Sequence, residues 1–460
     1  MSSGRSAIVV GGGISGLAAA HYLTRAGVNV TLIEKELALG GVMRTEFIDG
    51  CTLELGPDSF LAAKPWLLDL IRDLGLSDDL IGSNDHLRKS YILRHGRLVP
   101  LPDGLMMVVP TKVLPLLASP LLSWRTKIRM GLEWFRQPSA AQADRSVADF
   151  LRDHYGQESV DYLGEPLLSG VYGGDPAELS VISVLPRFAE IEAKYGSLTR
   201  GVLAMRGKGK ASGALFQSLK GGLSEISDAI VRTAGERLTV IQGEADAMER
   251  TGDCWRVRVN GESCEAWDVV LACRAYESSR LVRPFAPELA ELLSAIPYTS
   301  SMTLALGYRR ADVKHPLNGF GFLVPRAERG LLLGCTWVGT KFSHRVPDDK
   351  VMLRCFMAGD SLSLSDDQIV ATARAEILRI MGVDAEPVFA KISRWPRSMA
   401  QYTVGHSVRV KRIEALAAAL PGLHLAGSAY HGIGLPDCVR TGKMAAEAII
   451  RSAARTDAER

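Results

Sequence analysis

Three glycines stand directly after an apolar run in IVVGGGISGLAAAHYL, residues 8–23, and a stretch of helix-forming residues follows them. Gly11, Gly13 and Gly16 have the spacing G-x-G-x-x-G. In that spacing the first glycine permits a tight turn. The second lets the backbone come up against a pyrophosphate, and the third lets a helix pack closely on a strand. Ile14 and Ser15 open the helix, so its free N–H groups and positive dipole end face the phosphates. VNVTLIEKE, residues 28–36, reads as a second strand. It carries Glu34, 23 residues after Gly11, with Lys35 beside it. A carboxylate at that distance accepts from ribose hydroxyls. The chemistry is capture of a dinucleotide.

The next segment says which dinucleotide. LGGVMRTEFIDGCTLELGPDSF, residues 39–60, offers a second close backbone approach at Gly40 and Gly41. Arg44 follows, where it can reach a phosphate or a flavin edge. Gly56, Pro57 and Asp58 make a rigid loop. A nicotinamide cofactor needs no such second element. A flavin does, because its ring is gripped far from the adenine. The other end of the chain answers with GLHLAGSAYHGIGLPDCVRTGKMAAEAII, residues 422–450. This reads as a short strand, a turn with Gly427, Gly432 and Gly434, and a helix opening at Leu435. Asp437 lies near its start, where it can cap the helix and accept from a ribityl or ribose hydroxyl. A sheet completed from both chain ends predicts a discontinuous FAD-binding domain.

The rest of the chain bounds what surrounds that site. At 460 residues it predicts two or three domains. The 54 basic and 51 acidic residues nearly balance, so no nucleic-acid partner is expected. The seven cysteines form no C-x-x-C pair, which predicts reduced thiols, no metal site and a cytoplasmic protein. LPDGLMMVVPTKVLPLLASPLLSW, residues 101–124, is strongly apolar, but Pro110, Pro115 and Pro120 interrupt it. A membrane-spanning helix needs about 20 unbroken apolar residues. Two readings stay open: a core-packing loop with short helices, or an apolar surface at a membrane or channel mouth. The tail RSAARTDAER is read as frayed.

Together these motifs resemble the amine-oxidase-like flavoproteins, and five middle segments narrow the resemblance. They are YILRHGRLVPLP (91–102), EPLLSGVYGGDPAELSV (165–181), YGSLTRG (195–201), FQSLKGGL (216–223) and MAQYTVGH (399–406). In that order they are similar to the protoporphyrinogen oxidase family, which includes relatives acting on coproporphyrinogen. The resemblance runs from about residue 5 to 452. The chain departs at LACRAYESS (271–279), where the family usually has a threonine-proline pair, and at Gly173, where alanine is common.

The resemblance implies an α/β fold. A discontinuous Rossmann-like FAD-binding domain would comprise 1–85, 211–290 and 395–460. A mixed-sheet substrate domain would take 86–105 and 291–394, and a helical domain 106–210. It implies six-electron oxidation of protoporphyrinogen IX to protoporphyrin IX in heme synthesis, with dioxygen reduced to hydrogen peroxide. Coproporphyrinogen III is the alternative substrate. The flavin carries the chemistry, so no catalytic side chain is expected. Arg94 matches the arginine facing a propionate, with Arg97 as a rival. Gly170 and Gly174 would line the slot, and Phe356 would stack on a pyrrole. Thr336 falls on a pocket strand, and Trp395 would flank the flavin. A homodimer and peripheral contact with the inner face of the cell membrane stay open. Rival readings are an amine oxidase and a non-catalytic FAD or porphyrin carrier.

Overall fold

SAIVV is apolar at every position after its first residue, and such runs are buried on both faces in parallel sheets. In the computed structural model, which describes residues 5–138, 143–205 and 213–458, Ser6–Val10 is the central strand of a five-stranded parallel sheet. Across it lie Leu238–Gln242, Asn29–Glu34, Ser6–Val10, Asp268–Leu271 and Leu423–Leu425. Both chain ends and the middle thus build one body. Ala7 and Val9 face the helices Ile14–Arg25, Glu225–Ala234 and Leu435–Ala458, while Ile8 and Val10 join the core under the meander of strands Ala245–Thr251, Cys254–Val259 and Glu262–Ala266. A side chain on Gly442 would collide with the Ser15 carbonyl, which is why two long helices can cross here. The last helix runs to Ala458, so most of the tail read as frayed is helical.

A second sheet has seven strands in the order Phe389–Ala400, Tyr298–Arg309, Lys350–Ala358, Leu332–Trp337, Gly321–Leu323, Ser90–Arg94 and Arg97–Pro100. All neighbours are antiparallel except Gly321–Leu323 with Ser90–Arg94. The boundary expected at 394/395 falls inside strand Phe389–Ala400, which pairs with Tyr298–Arg309 along its length. One face buries Met302, Leu304, Leu306, Trp337 and Leu353 with Ile369, Ala373 and Ile377 of helix Asp366–Met381. Period-two alternation sends Thr303, Phe356, Gly334, Leu323 and Ile92 to the other face, in one cross-strand row. Ile92 there joins the core of the helical region, with Leu121, Leu163 and Leu168.

The helical region runs from Val113 to Met205, with 139–142 outside the described residues. The stretch 101–124 is part core-packing loop and short helix, part exposed surface. Val108, Val109, Leu116, Leu121 and Leu122 are buried, whereas Val113, Leu114 and Trp124 are exposed. Among the described residues no helix is long and apolar enough to cross a membrane. All seven cysteines are free thiols.

Candidate functional site

Two glycine turns meet at the carboxyl end of the parallel sheet. Gly11 has φ +107°, and a side chain there would meet the Cys273 amide at 2.8 Å. A side chain on Gly16 would collide with the Gly11 carbonyl. Gly13 is different. An added Cβ would meet no protein atom within 4 Å, so its bareness leaves space rather than relieving a clash. Gly13 is also the N-cap of helix Ile14–Arg25, which has no side-chain cap. The open space therefore faces uncapped helical N–H groups, as a pyrophosphate requires. The Gly40 N–H donates to the Gly12 carbonyl at 2.8 Å, and Gly41 closes on the Gly13 Cα. Glu34 accepts from the N–H groups of Gly12 at 2.6 Å and Glu36 at 2.8 Å. It fixes the turn and keeps lone pairs for a ribose hydroxyl. Lys35 does not join them; it pairs with Glu277 at 3.3 Å.

Beyond Gly41 the chain leads to a second cluster. Arg44 donates to the Gly41 carbonyl at 3.2 Å, and its guanidinium lies 5.9 Å from the Trp395 ring. Trp395 and Thr303 each donate to the Leu55 carbonyl at 3.0 Å. A side chain on Gly56 would collide with the Val42 carbonyl, and Arg354 donates to the Gly56 carbonyl. Gly41, Arg44, Gly56, Pro57 and Trp395 thus come together, with the seven-stranded sheet holding the loop. Asp58 does not offer its carboxylate to a cofactor. Lys341 holds both its oxygens, at 2.9 and 3.0 Å. Burial opposes its ionisation, but Lys341 and Arg354 outweigh burial and hold it well below the usual carboxylate range.

The C-terminal loop closes the cradle. A Cβ on Gly427 would come no nearer than 3.9 Å to the carbonyls of Ala272 and Cys273, so this wall too is bare. Gly432 and Gly434 lack side chains because Asp437 folds back against them. Asp437 is buried and takes a hydrogen bond from Lys64, while Leu435 packs into the core at the helix start. The segment Ala272–Cys273, which the departure from the family pattern left unassigned, lines the turn through its backbone. Its one signal in the sequence was its position at the end of a buried strand.

Arg94, Thr336 and Phe356 share the open face of the seven-stranded sheet. Thr336 lies opposite Arg354, and Phe356 opposite Gly334, which pairs with Leu323 and through it with Ile92. Three strand steps, roughly 14 Å at the usual strand spacing, separate Phe356 from Ile92, and Arg94 lies two residues further along that strand. The segment 170–174 lies over this face. A Cβ on Gly170 would touch Leu323 at 3.4 Å, an ordinary contact. Gly174 corrects the expectation: the space beside it is filled by Gln401, which also donates to the Tyr172 carbonyl at 2.9 Å. Gly174 is bare for Gln401, not for a slot. Gly173, at φ +58°, is the left-handed cap of helix Glu165–Tyr172. Arg94 is also committed. It donates to Glu158 at 2.9 Å and to the Leu121 carbonyl, and lies 4.5 Å over the Tyr162 ring. Burial raises the Glu158 pKa, but bonds from Ser123, Thr126 and Arg94 bring it down to about 2.

The sequence profile of the family described as flavin-containing amine oxidoreductase matches residues 14–450. A protein of Bacillus subtilis named coproporphyrinogen III oxidase is 34% identical, covering 97% of this chain and 98% of that protein. Protoporphyrinogen oxidase 2 of Arabidopsis thaliana is 27% identical, covering 97% of this chain and 94% of its own. A crystal structure from Exiguobacterium sp. 255-15, provisionally assigned as a protoporphyrinogen oxidase, superposes with a TM-score of 0.87 at 33% identity. It covers 98% of this chain and 100% of that one.

Two glycines of one motif should fail in opposite ways. Gly13→Val should purify without bound dinucleotide and melt close to the wild type stripped of its cofactor, because only the ligand meets its side chain. Gly16→Val should lose stability by about 3 kcal/mol or more through overpacking. Equal dinucleotide content in wild type and Gly13→Val would refute the cradle. Arg94→Ala should lower stability by on the order of 2 kcal/mol, the worth of a hydrogen bond to a charged group. An unchanged denaturant midpoint would show the Glu158 pair to be idle.

Proposed function

The chain belongs to the flavin-containing amine oxidoreductases, in their porphyrinogen oxidase branch, and on that footing we propose that it oxidises coproporphyrinogen III to coproporphyrin III. The cofactor is FAD, and the residues present fit it: an uncapped helix N-terminus behind a bare Gly13, then a second glycine turn leading to the Gly56 loop. The full-length likeness to the Bacillus relative carries the choice of substrate. That likeness supports reading coproporphyrinogen III ahead of protoporphyrinogen IX, the first expectation from the sequence. Protoporphyrinogen IX is the second reading, favoured by the Arabidopsis relative.

The porphyrinogen loses six electrons and six protons on becoming aromatic. FAD, when bound, takes electrons in pairs and passes them to dioxygen, so about three peroxides leave per porphyrin. The chain's own residues orient the macrocycle and exclude water. Thr336 and Phe356, both partly exposed, offer a floor that ends where the segment around Gly170 packs on Leu323; Ile92 lies buried beyond that edge. Arg94 can serve a propionate only by sharing its guanidinium with Glu158, which its five donors permit.

We also propose that the helical region rests on an anionic membrane surface. Leu114, Trp124, Ile128, Leu132 and Phe135 are each 60–79% exposed within one short stretch. Between residues 104 and 136 the sequence has five basic side chains, of which Lys127 is buried and Arg136 pairs with Asp153, and one acid, Glu133, which is buried. An apolar patch with a basic surround matches acyl chains beneath anionic headgroups.

Initial rates with the two porphyrinogens, measured in parallel by porphyrin fluorescence, test the substrate. The coproporphyrinogen rate should be the greater at equal low concentration; a larger protoporphyrinogen rate would reverse the assignment. Co-sedimentation with phosphatidylglycerol vesicles should weaken at high salt. It should fall at least about tenfold in Trp124→Ser/Phe135→Ser. Binding that ignores lipid charge and these residues would refute the docking surface.

A further inference from the structure

Behind the Gly56 loop lies a group of five charged side chains that a dinucleotide fold does not require. Lys341, Arg345 and Arg354 are cations; Glu54 and Asp58 are anions. Glu54, Arg345 and Arg354 are each no more than 4% exposed. Glu54 pairs with Arg345 at 2.9 Å, and Asp58 with Lys341 at 2.9 Å. Glu225 acts on the Arg345–Glu54 pair and not on Arg354, so at the Asp58 end two cations meet one carboxylate, and the geometry puts the excess on Arg354. Its nearest carboxylate is Asp58, at 3.7 Å and already shared with Lys341. Its Nε has no hydrogen-bond partner. Its guanidinium lies 4.9 Å from the Phe356 ring and donates to the Gly56 carbonyl.

An uncompensated buried cation is costly, so a fold that keeps one is expected to bring an anion to it. Gly56 belongs to the loop that gathers Arg44 and Trp395, at the end of the cradle far from the phosphates. We propose that this cluster sets the reduction potential of the bound FAD, its excess positive charge favouring the reduced, anionic form. The two-electron reduction brings two electrons and one proton from the substrate to the flavin, which gains one negative charge. The second proton leaves the substrate separately. In general, a unit charge at a separation on the order of 10 Å, at an effective dielectric of about 20, shifts such an equilibrium on the order of tenfold. The inference rests on FAD and not on which porphyrinogen is oxidised.

The test is a dye-coupled reductive titration of the FAD-loaded enzyme. Lys341→Met leaves Asp58 to neutralise Arg354 and should lower the potential; Lys341→Arg should restore it. Asp58→Asn adds to the excess and should raise the potential. Arg354→Met should act like Lys341→Met, and if it fails to fold, the Lys341 and Asp58 variants decide. A purely structural cluster would give shifts of one sign that follow loss of FAD. Shifts of the same sign, or none in variants retaining FAD, would overturn the proposal.

Discussion

Two peptide turns meet with nothing between them, and the rest of the molecule is arranged around that contact. Gly40 donates to Gly12, and Gly41 stands at φ +63° with its Cα facing that of Gly13. A single β-carbon at Gly41 would come to 3.1 Å from the Gly13 Cα. The contact ties the start of the first helix to the segment running on to Leu55 and Gly56. A long cofactor lying from Gly13 to the Gly56 loop would have its two ends fixed by one hydrogen-bonded backbone junction. Glu34 stiffens it from below by holding the Gly12 N–H.

The second sheet is then registered against that junction by polar contacts. Thr303, Trp395 and Arg354, on three strands of that sheet, all donate to the carbonyls of Leu55 and Gly56. Such bonds are directional, and in a buried setting each unmade one is costly. Arg345 adds a buried bridge to Glu54, the Ser218 hydroxyl and the Leu219 carbonyl. Apolar packing alone would hold the two bodies together without fixing their register. These contacts fix where the floor carrying Phe356 and Thr336 stands relative to the cofactor loop.

The cradle was legible in the sequence because glycine's role is local. Gly11, Gly16, Gly40 and Gly56 are constrained by neighbours in the same short segments or by adjoining strands, and G-x-G-x-x-G reports that directly. Trp395, Thr336 and Phe356 could be assigned only by resemblance, and strand register then put them on one face. What was not legible depends on partners distant in sequence. Asp58 is taken by Lys341, Arg94 by Glu158, and the space beside Gly174 by Gln401. No spacing rule announces a partner 64 or 283 residues away. The same holds for the end of the seven-stranded sheet, where strand Phe389–Ala400 crosses a boundary that composition does not mark.

The central claim is that a porphyrinogen on the sheet face delivers its electrons to FAD held at the glycine junction. The most direct test mixes the FAD-loaded protein with coproporphyrinogen III in the absence of oxygen and follows the flavin absorbance. The account predicts bleaching in step with the first oxidation of the substrate, recovery on admitting air, and peroxide appearing with that recovery. A flavin that stays oxidised beside bound coproporphyrinogen and protoporphyrinogen alike would contradict it and point to a carrier rather than an oxidase.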